Sequence, residues 1–131
     1  MNKNSSSIMM RYIVNDVPAA IAFYTNNLQF RVTAQSGRDF AMLERDNLQL
    51  VLSPPAGPGG GSQPMPDGRQ PEPGGWNRMI VPSTNLEEDI GTLKKAGVRF
   101  RNNIVSGPGG RQILLDDPSG NPIELFEAAR A

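Results

Sequence analysis

The succession strand, helix, three strands occurs twice along the chain, and this duplication restricts the fold more than any other feature of the sequence. In the first copy, residues 8–14 are rich in Met, Tyr, Ile and Val and read as a strand. Asp16 then offers a helix cap and Pro18 suits the first turn, where a missing N–H costs little. Val17, Ala20, Ile21, Tyr24 and Leu28 recur at helical spacing, which predicts a helix to about residue 26. Strands are expected at 30–34, 40–43 and 48–52, separated by polar turns containing Gly37, Asp46 and Asn47. The second copy begins with a strand at 78–81. Asn85 caps a helix whose stripe is Leu86, Ile90 and Leu93, with Glu87, Glu88 and Asp89 in its first turn, Lys94 and Lys95 in its last, and Gly97 beyond it. Strands are expected at 98–101, 111–116 and 122–126. The caps Asp16 and Asn85 stand 69 positions apart, and Phe30 and Phe100 fall in equivalent following strands. Neither βαβββ module holds enough apolar residues for a core of its own. The two are therefore expected to pair into one α+β domain, with helices outside and a curved, cup-shaped mixed sheet inside.

Module one spans 8–53 and module two 76–127, preceded by a polar tail at 1–7 read as disordered and followed by a short tail at 128–131. Between the modules, residues 54–75 hold seven of the twelve prolines and seven of the fourteen glycines, the composition of a mobile loop. At 131 residues, a single domain with one real core is the expectation. Basic and acidic residues number 13 each, so no strong field gathers nucleic acid or an anionic membrane. The first residues lack the apolar run of a signal peptide and no later window has the length of a membrane span, so a cytoplasmic protein is expected. There is neither cysteine nor histidine, which removes thiolate nucleophiles, imidazole relays and the commonest transition-metal ligands together.

Glu124 then stands out, because it places an ionisable group in a stretch, DDPSGNPIELFE, that otherwise reads as a turn and a buried strand. Pro118 presets the turn and Gly120 ends it. Strand alternation directs Ile123 and Leu125 to the helix side of the sheet and Glu124 and Phe126 to the other. Two segments carry a resemblance. VNDVPAAIAFYTNNLQF, residues 14–30, resembles the opening unit of the vicinal oxygen chelate superfamily, which includes glyoxalases, bleomycin-resistance proteins and extradiol dioxygenases, and DPSGNPIELFE, residues 117–127, is similar to its closing hairpin. The likeness runs from residue 8 to 127 and implies the glyoxalase/bleomycin resistance fold, with a homodimer as the family-level assembly. In metal-using relatives the hairpin glutamate is a ligand at the floor of the cup. The other ligand positions fall here on Met9, on Arg78, and on Val51 or, with a two-residue slip, Gln49. This set is too poor in anionic and nitrogen donors for a divalent ion, and an arginine in a ligand position repels a cation. The resemblance therefore implies a lost metal site, no cofactor and no assigned catalytic residue.

Arg78 is expected to pair with Glu124 in place of the metal, either as structure or as an anchor for a ligand. A carboxylate held by arginine is a poor proton acceptor. Trp76 is read as an edge anchor or as a lid over a planar ligand, while Met9, Met42, Met79 and Phe126 are read as core or as lining of the cup. Tyr24 belongs to the core. The glycine runs at 57–61 and 107–110 lack the Gly-Lys-Ser/Thr of a phosphate loop and read as turns. Arg99, Arg101 and Arg111 form a small positive patch or, more commonly, solvated charge, and Asp116-Asp117 lacks calcium-loop spacing. The function expected is metal-independent binding of a small molecule in the cup, with sequestration or resistance as its use. Met9, Gln49, Val51, Met79, Trp76, Arg78, Glu124 and Phe126 would contact the ligand. The alternatives are a divalent-metal-dependent lyase, isomerase or dioxygenase, and a ligand-free dimeric interaction module.

Overall fold

A computed structural model describes residues 8–130; the tail expected at 1–7 and the terminal residue 131 lie outside the described residues. The chain divides into two compact units, one running to Pro73 and the other starting at Gly74. The architecture is α+β.

The first unit comprises β1 (Ile8–Ile13), α1 (Val17–Asn27), β2 (Arg31–Ser36), β3 (Phe40–Arg45) and β4 (Leu48–Ser53). Its four strands lie in the order β1-β4-β3-β2, with β1 parallel to β4 and the other pairs antiparallel. Asp16 caps α1 by accepting the Ala19 N–H at 3.0 Å, and Pro18 sits in the first turn as expected. The buried face of α1 carries Val17, Ala20, Phe23 and Tyr24, and the sheet answers with Ala41, Leu43, Leu50 and Leu52. Tyr24 is fully buried and meets Tyr12, Phe23 and Phe30 edge to face, with ring centroids 6.5, 5.0 and 5.5 Å away. β3 and β4 are joined by Asp46 and Asn47, with Asp46 at φ +52°, the left-handed conformation that suits a two-residue hairpin loop.

The proline- and glycine-rich stretch beyond β4 carries local order. Gly60–Ser62 forms a 3₁₀ turn, Ser62 is buried, and the Gln63 side-chain amide donates to the carbonyls of Gly57 and Gly59 at 3.1 and 3.2 Å. Gly61 lies against the guanidinium of Arg11, so a β-carbon there would collide with it.

The second unit comprises β5 (Met79–Pro82), α2 (Leu86–Lys95), β6 (Arg99–Phe100), β7 (Val105–Gly107), β8 (Gly110–Asp116) and β9 (Pro122–Ala128). The strand order is β5-β9-β8-β6, with β7 also on β8, and β5 runs parallel to β9. Pro82 is tolerated because β5 is an edge strand. Asn85 caps α2 through the Glu88 N–H at 3.1 Å, and Gly97 follows the helix at φ +83°. Three strands were expected after this helix; the first, expected at 98–101, is β6, and a further short strand, β7, follows it along β8 and was not expected. At the break the Arg101 N–H still reaches the Leu114 carbonyl at 2.9 Å, but the Leu114 N–H is taken by the Asn102 side chain at 2.9 Å. A side-chain oxygen thus replaces a backbone acceptor while the chain bulges. The corresponding strand of the first unit is irregular at the matching place. The β2–β3 register shifts between Val32 and Ala34, and the Thr33 hydroxyl donates to the Met42 carbonyl at 3.1 Å.

Candidate functional site

The hairpin that leads into β9 is built by Asp117. One of its carboxylate oxygens accepts the backbone N–H groups of Ser119 and Asn121, both at 2.9 Å, and the other accepts the Asn121 side-chain amide at 3.0 Å. Gly120, at φ +89°, donates to the Asp117 carbonyl and completes the turn. Asn121 in turn accepts the Gly74 N–H at 2.8 Å, tying the start of the second unit to the hairpin. With the turn fixed, the alternation along β9 is fixed too.

One face of β9 carries Ile123, Leu125 and Glu127. It is the helix side, since Glu127 accepts the Leu86 N–H at the start of α2 at 3.0 Å. The other face carries Glu124 and Phe126, as expected. The register sets Glu124 between Ile80 of β5 and Leu114 of β8, and Phe126 between Pro82 and Gln112. Met79 pairs with Ile123, is 5 % exposed, and belongs to the helix-side core. Its reading as a ligand contact beside Arg78 is therefore corrected. Neighbours along a strand point to opposite faces, so the residue that shares the Glu124 face is Ile80, which is 59 % exposed.

Arg78 lies one residue before β5 and turns its guanidinium onto Glu124. Nε and Nη2 donate at 3.0 and 2.8 Å, both to the same oxygen, Oε1. Nη1 donates to the Trp76 carbonyl at 3.3 Å. The side chains are 26 % and 6 % exposed, so the pair is shielded on the acid's side and open on the arginine's. Trp76 itself is 71 % exposed and is not a buried anchor. Its ring stacks on the Arg101 guanidinium, 5.1 Å from carbon to ring centroid. Arg101 is held there by Asp116 at 2.6 Å and by the carbonyls of Gly75 and Gly120 at 3.1 and 2.9 Å.

The first unit holds Met9, Gln49 and Val51 on one face of its own sheet. Met9 is paired with Gln49 and Arg11 with Val51, with Glu44 and Met42 on the far side of Gln49 and Val51 respectively. Arg11 was not singled out in the sequence, although period-two spacing from Met9 marks it as a member of this face. Among the described residues it has no carboxylate partner.

Of the three arginines near the later hairpins, Arg99 is exposed, as solvated charge would be, while the other two are held by carboxylates. Arg101 pairs with Asp116, and Arg111 bridges Glu87 at 2.6 Å and Glu127 at 2.6 Å. Hydrogen bonds from Arg111 hold Glu87 down at a pKa of about 2 and lower that of Glu127, which the Leu86 N–H lowers further. The same two carboxylates raise the Arg111 pKa above its ordinary value. A cavity of about 250 Å³ opens beside Arg111 and Glu127, lined also by Ser106, Gly107 and Arg130. It lies toward the far end of β9 from the Arg78–Glu124 pair, and its Arg111 is already neutralised by Glu87 and Glu127. The run at 107–110 is the β7–β8 turn, as read; at Gly110, φ +147°, a β-carbon would collide with the Glu127 carbonyl.

The profile of the Glyoxalase/Bleomycin resistance protein/Dioxygenase superfamily matches residues 7–125. The chain belongs to this superfamily. Comparison with curated protein sequences gives no match. Among solved structures it is similar to a lactoylglutathione lyase from Agrobacterium tumefaciens, at 17 % identity and TM-score 0.71 over 94 % of this chain and 93 % of that one. It is similar to TnmS3, an antibiotic binding protein from Streptomyces sp. CB03234, at 23 % identity and TM-score 0.70 over 94 % and 95 %. It is also similar to a superfamily member from Sphaerobacter thermophilus DSM 20745, at 27 % identity and TM-score 0.71 over 92 % and 95 %. The likenesses at 17 % and 23 % establish a shared fold and nothing finer.

The divalent ion used by some members of this superfamily does not fit the residues present. Of Met9, Gln49, Val51, Arg78 and Glu124, only the last is an anionic donor, and one of its oxygens is bonded to a guanidinium. Among the described residues no three His, Cys, Asp or Glu side chains gather into a metal-binding group.

Proposed function

We propose that this protein is a metal-independent small-molecule-binding member of the superfamily, of the bleomycin-resistance type, with sequestration of its ligand as its use. The observation that carries this reading is the Arg78–Glu124 pair, in which a guanidinium occupies a position that aligns with a metal ligand and bonds the one acidic donor left. The face around the pair suits a ligand: Ile80 and Phe126 offer apolar contact, Trp76 an exposed aromatic surface, and Arg78 and Glu124 polar orientation. Met9, Gln49 and Val51 are the corresponding contacts on the sheet of the first unit. That TnmS3, a protein of the same fold, binds an antibiotic supports a binding role. The reading includes a homodimer, as the resemblance implies, and light scattering tests that part.

Elemental analysis of untagged protein, followed by titration with zinc and manganese, tests metal independence. The expected result is no stoichiometric metal and no rise in melting temperature. An ion bound at a hundred times its dissociation constant would stabilise the fold by about 2.7 kcal/mol, and such a rise would transfer the protein to the metal-dependent lyase, isomerase or dioxygenase reading. A thermal-shift screen of aromatic antibiotics and small metabolites tests binding itself.

A further inference from the structure

Both bonds from Arg78 to Glu124 end on one carboxylate oxygen, Oε1. Among the described residues no donor reaches Oε2, and no buried side-chain oxygen or nitrogen is without a partner, so Oε2 keeps contact with solvent. Its surroundings are apolar: Ile80 and Leu114 stand beside Glu124 in the adjoining strands, and Phe126 follows on the same face. Resting on the small-molecule-binding reading above, we infer that the free Oε2 of Glu124 selects ligands that carry a neutral hydrogen-bond donor, an amide N–H or a hydroxyl, on an apolar body.

An ionised carboxylate accepts hydrogen bonds and donates none. A ligand that covers this face displaces the water on Oε2 and must replace its hydrogen bond, because an unpaired acceptor in an apolar setting costs more than a bond gained elsewhere returns. A ligand of the same shape without a donor leaves Oε2 dry and is rejected. The discrimination is strong because it works by stranding a group of the site itself. The charge of the ligand follows from the pair. Arg78 already balances Glu124, with Nη2 only 2.8 Å from Oε1, so an ammonium group would sit against a like charge and a carboxylate would face an acid. The neutral donor is the class that meets neither repulsion.

Benzamide and methyl benzoate test this, since they share a planar apolar body and differ in the N–H donor, with benzylamine as the cationic comparison. Each is titrated into ¹⁵N-labelled full-length protein while the backbone signals of Ile80, Leu114, Glu124 and Phe126 are followed. Benzamide is expected to bind about tenfold or more tightly than methyl benzoate, the effect of one hydrogen bond to a charged group. In the double variant Arg78→Met with Glu124→Leu, in which both polar groups are exchanged for apolar ones, the remaining preference is expected to be within about twofold, no more than roughly 0.4 kcal/mol. Equal binding of benzamide and methyl benzoate at these signals overturns the donor inference and leaves the binding role standing. Tighter binding of benzylamine overturns the requirement for a neutral donor. Failure of all three to move these signals overturns the inference and the placement of the ligand on this face together.

Discussion

Arg78 and Glu124 form the ion pair at the centre of the proposed site. A histidine or carboxylate at position 78 would leave Glu124 available to a cation; the arginine bonds one of its oxygens and brings its own charge. Because Glu124 is nearly buried, removing its partner is expected to cost more than the pair contributes. Arg78→Met should lower unfolding stability by about 3 kcal/mol, while Arg78→Met combined with Glu124→Gln should recover much of the loss. Urea denaturation of the four proteins in this cycle checks it, and additive losses would show that the two side chains act independently. The presence of the pair was legible from the chain, because alternation in β9 and the 69-residue offset both pointed at it. The one-sided geometry, with both bonds on Oε1, was not, since it depends on how the residues before β5 are held.

Two devices at the level of elements hold β9 in the second unit. The first is the Asp117 turn, whose side chain organises three donors before β9 begins. Asp117→Ala is expected to lose about 2 kcal/mol, since buried backbone N–H groups are left without an acceptor, and to broaden the NMR signals of Glu124. The second is the clamp of Arg111 on Glu87 of α2 and Glu127 of β9. Hydrogen bonds from Arg111 depress both acids relative to the unfolded chain, so the unfolded state binds protons first as the pH falls. The clamp's contribution is therefore complete above about pH 4.5 and is lost on the way down to about pH 2, where Glu87 takes its proton in the folded state. Thermal melts between pH 6 and 2 should show a decline that Arg111→Met makes shallower. The continuation of β6 into β7 was not legible because Asn102, which substitutes for a backbone acceptor, looks in sequence like any loop asparagine.

At the scale of the whole molecule, two βαβββ units of unequal composition carry one architecture. The first carries Met9, Gln49 and Val51 where the resemblance implies metal ligands, and the second carries a single acid bonded to a base. Divalent ions in excess are accordingly expected to leave the melting temperature unchanged, and differential scanning calorimetry with and without chelator checks this. No helix among the described residues is long and apolar enough to cross a membrane.

The order of elements apart from β7, the helix caps at Asp16 and Asn85, the turn at Gly120 and the facing of Glu124 and Phe126 were determined by the sequence alone, because each follows from near neighbours: a period of 2 or 3.6, a cap, or a residue tolerant of positive φ. The stacking of Trp76 on Arg101, the exchange of Met79 for Ile80 on the exposed face, and the free half of the Glu124 carboxylate were decided only in the tertiary structure. They depend on strand register and on partners as far apart as positions 78 and 124, and no local rule reaches across that interval.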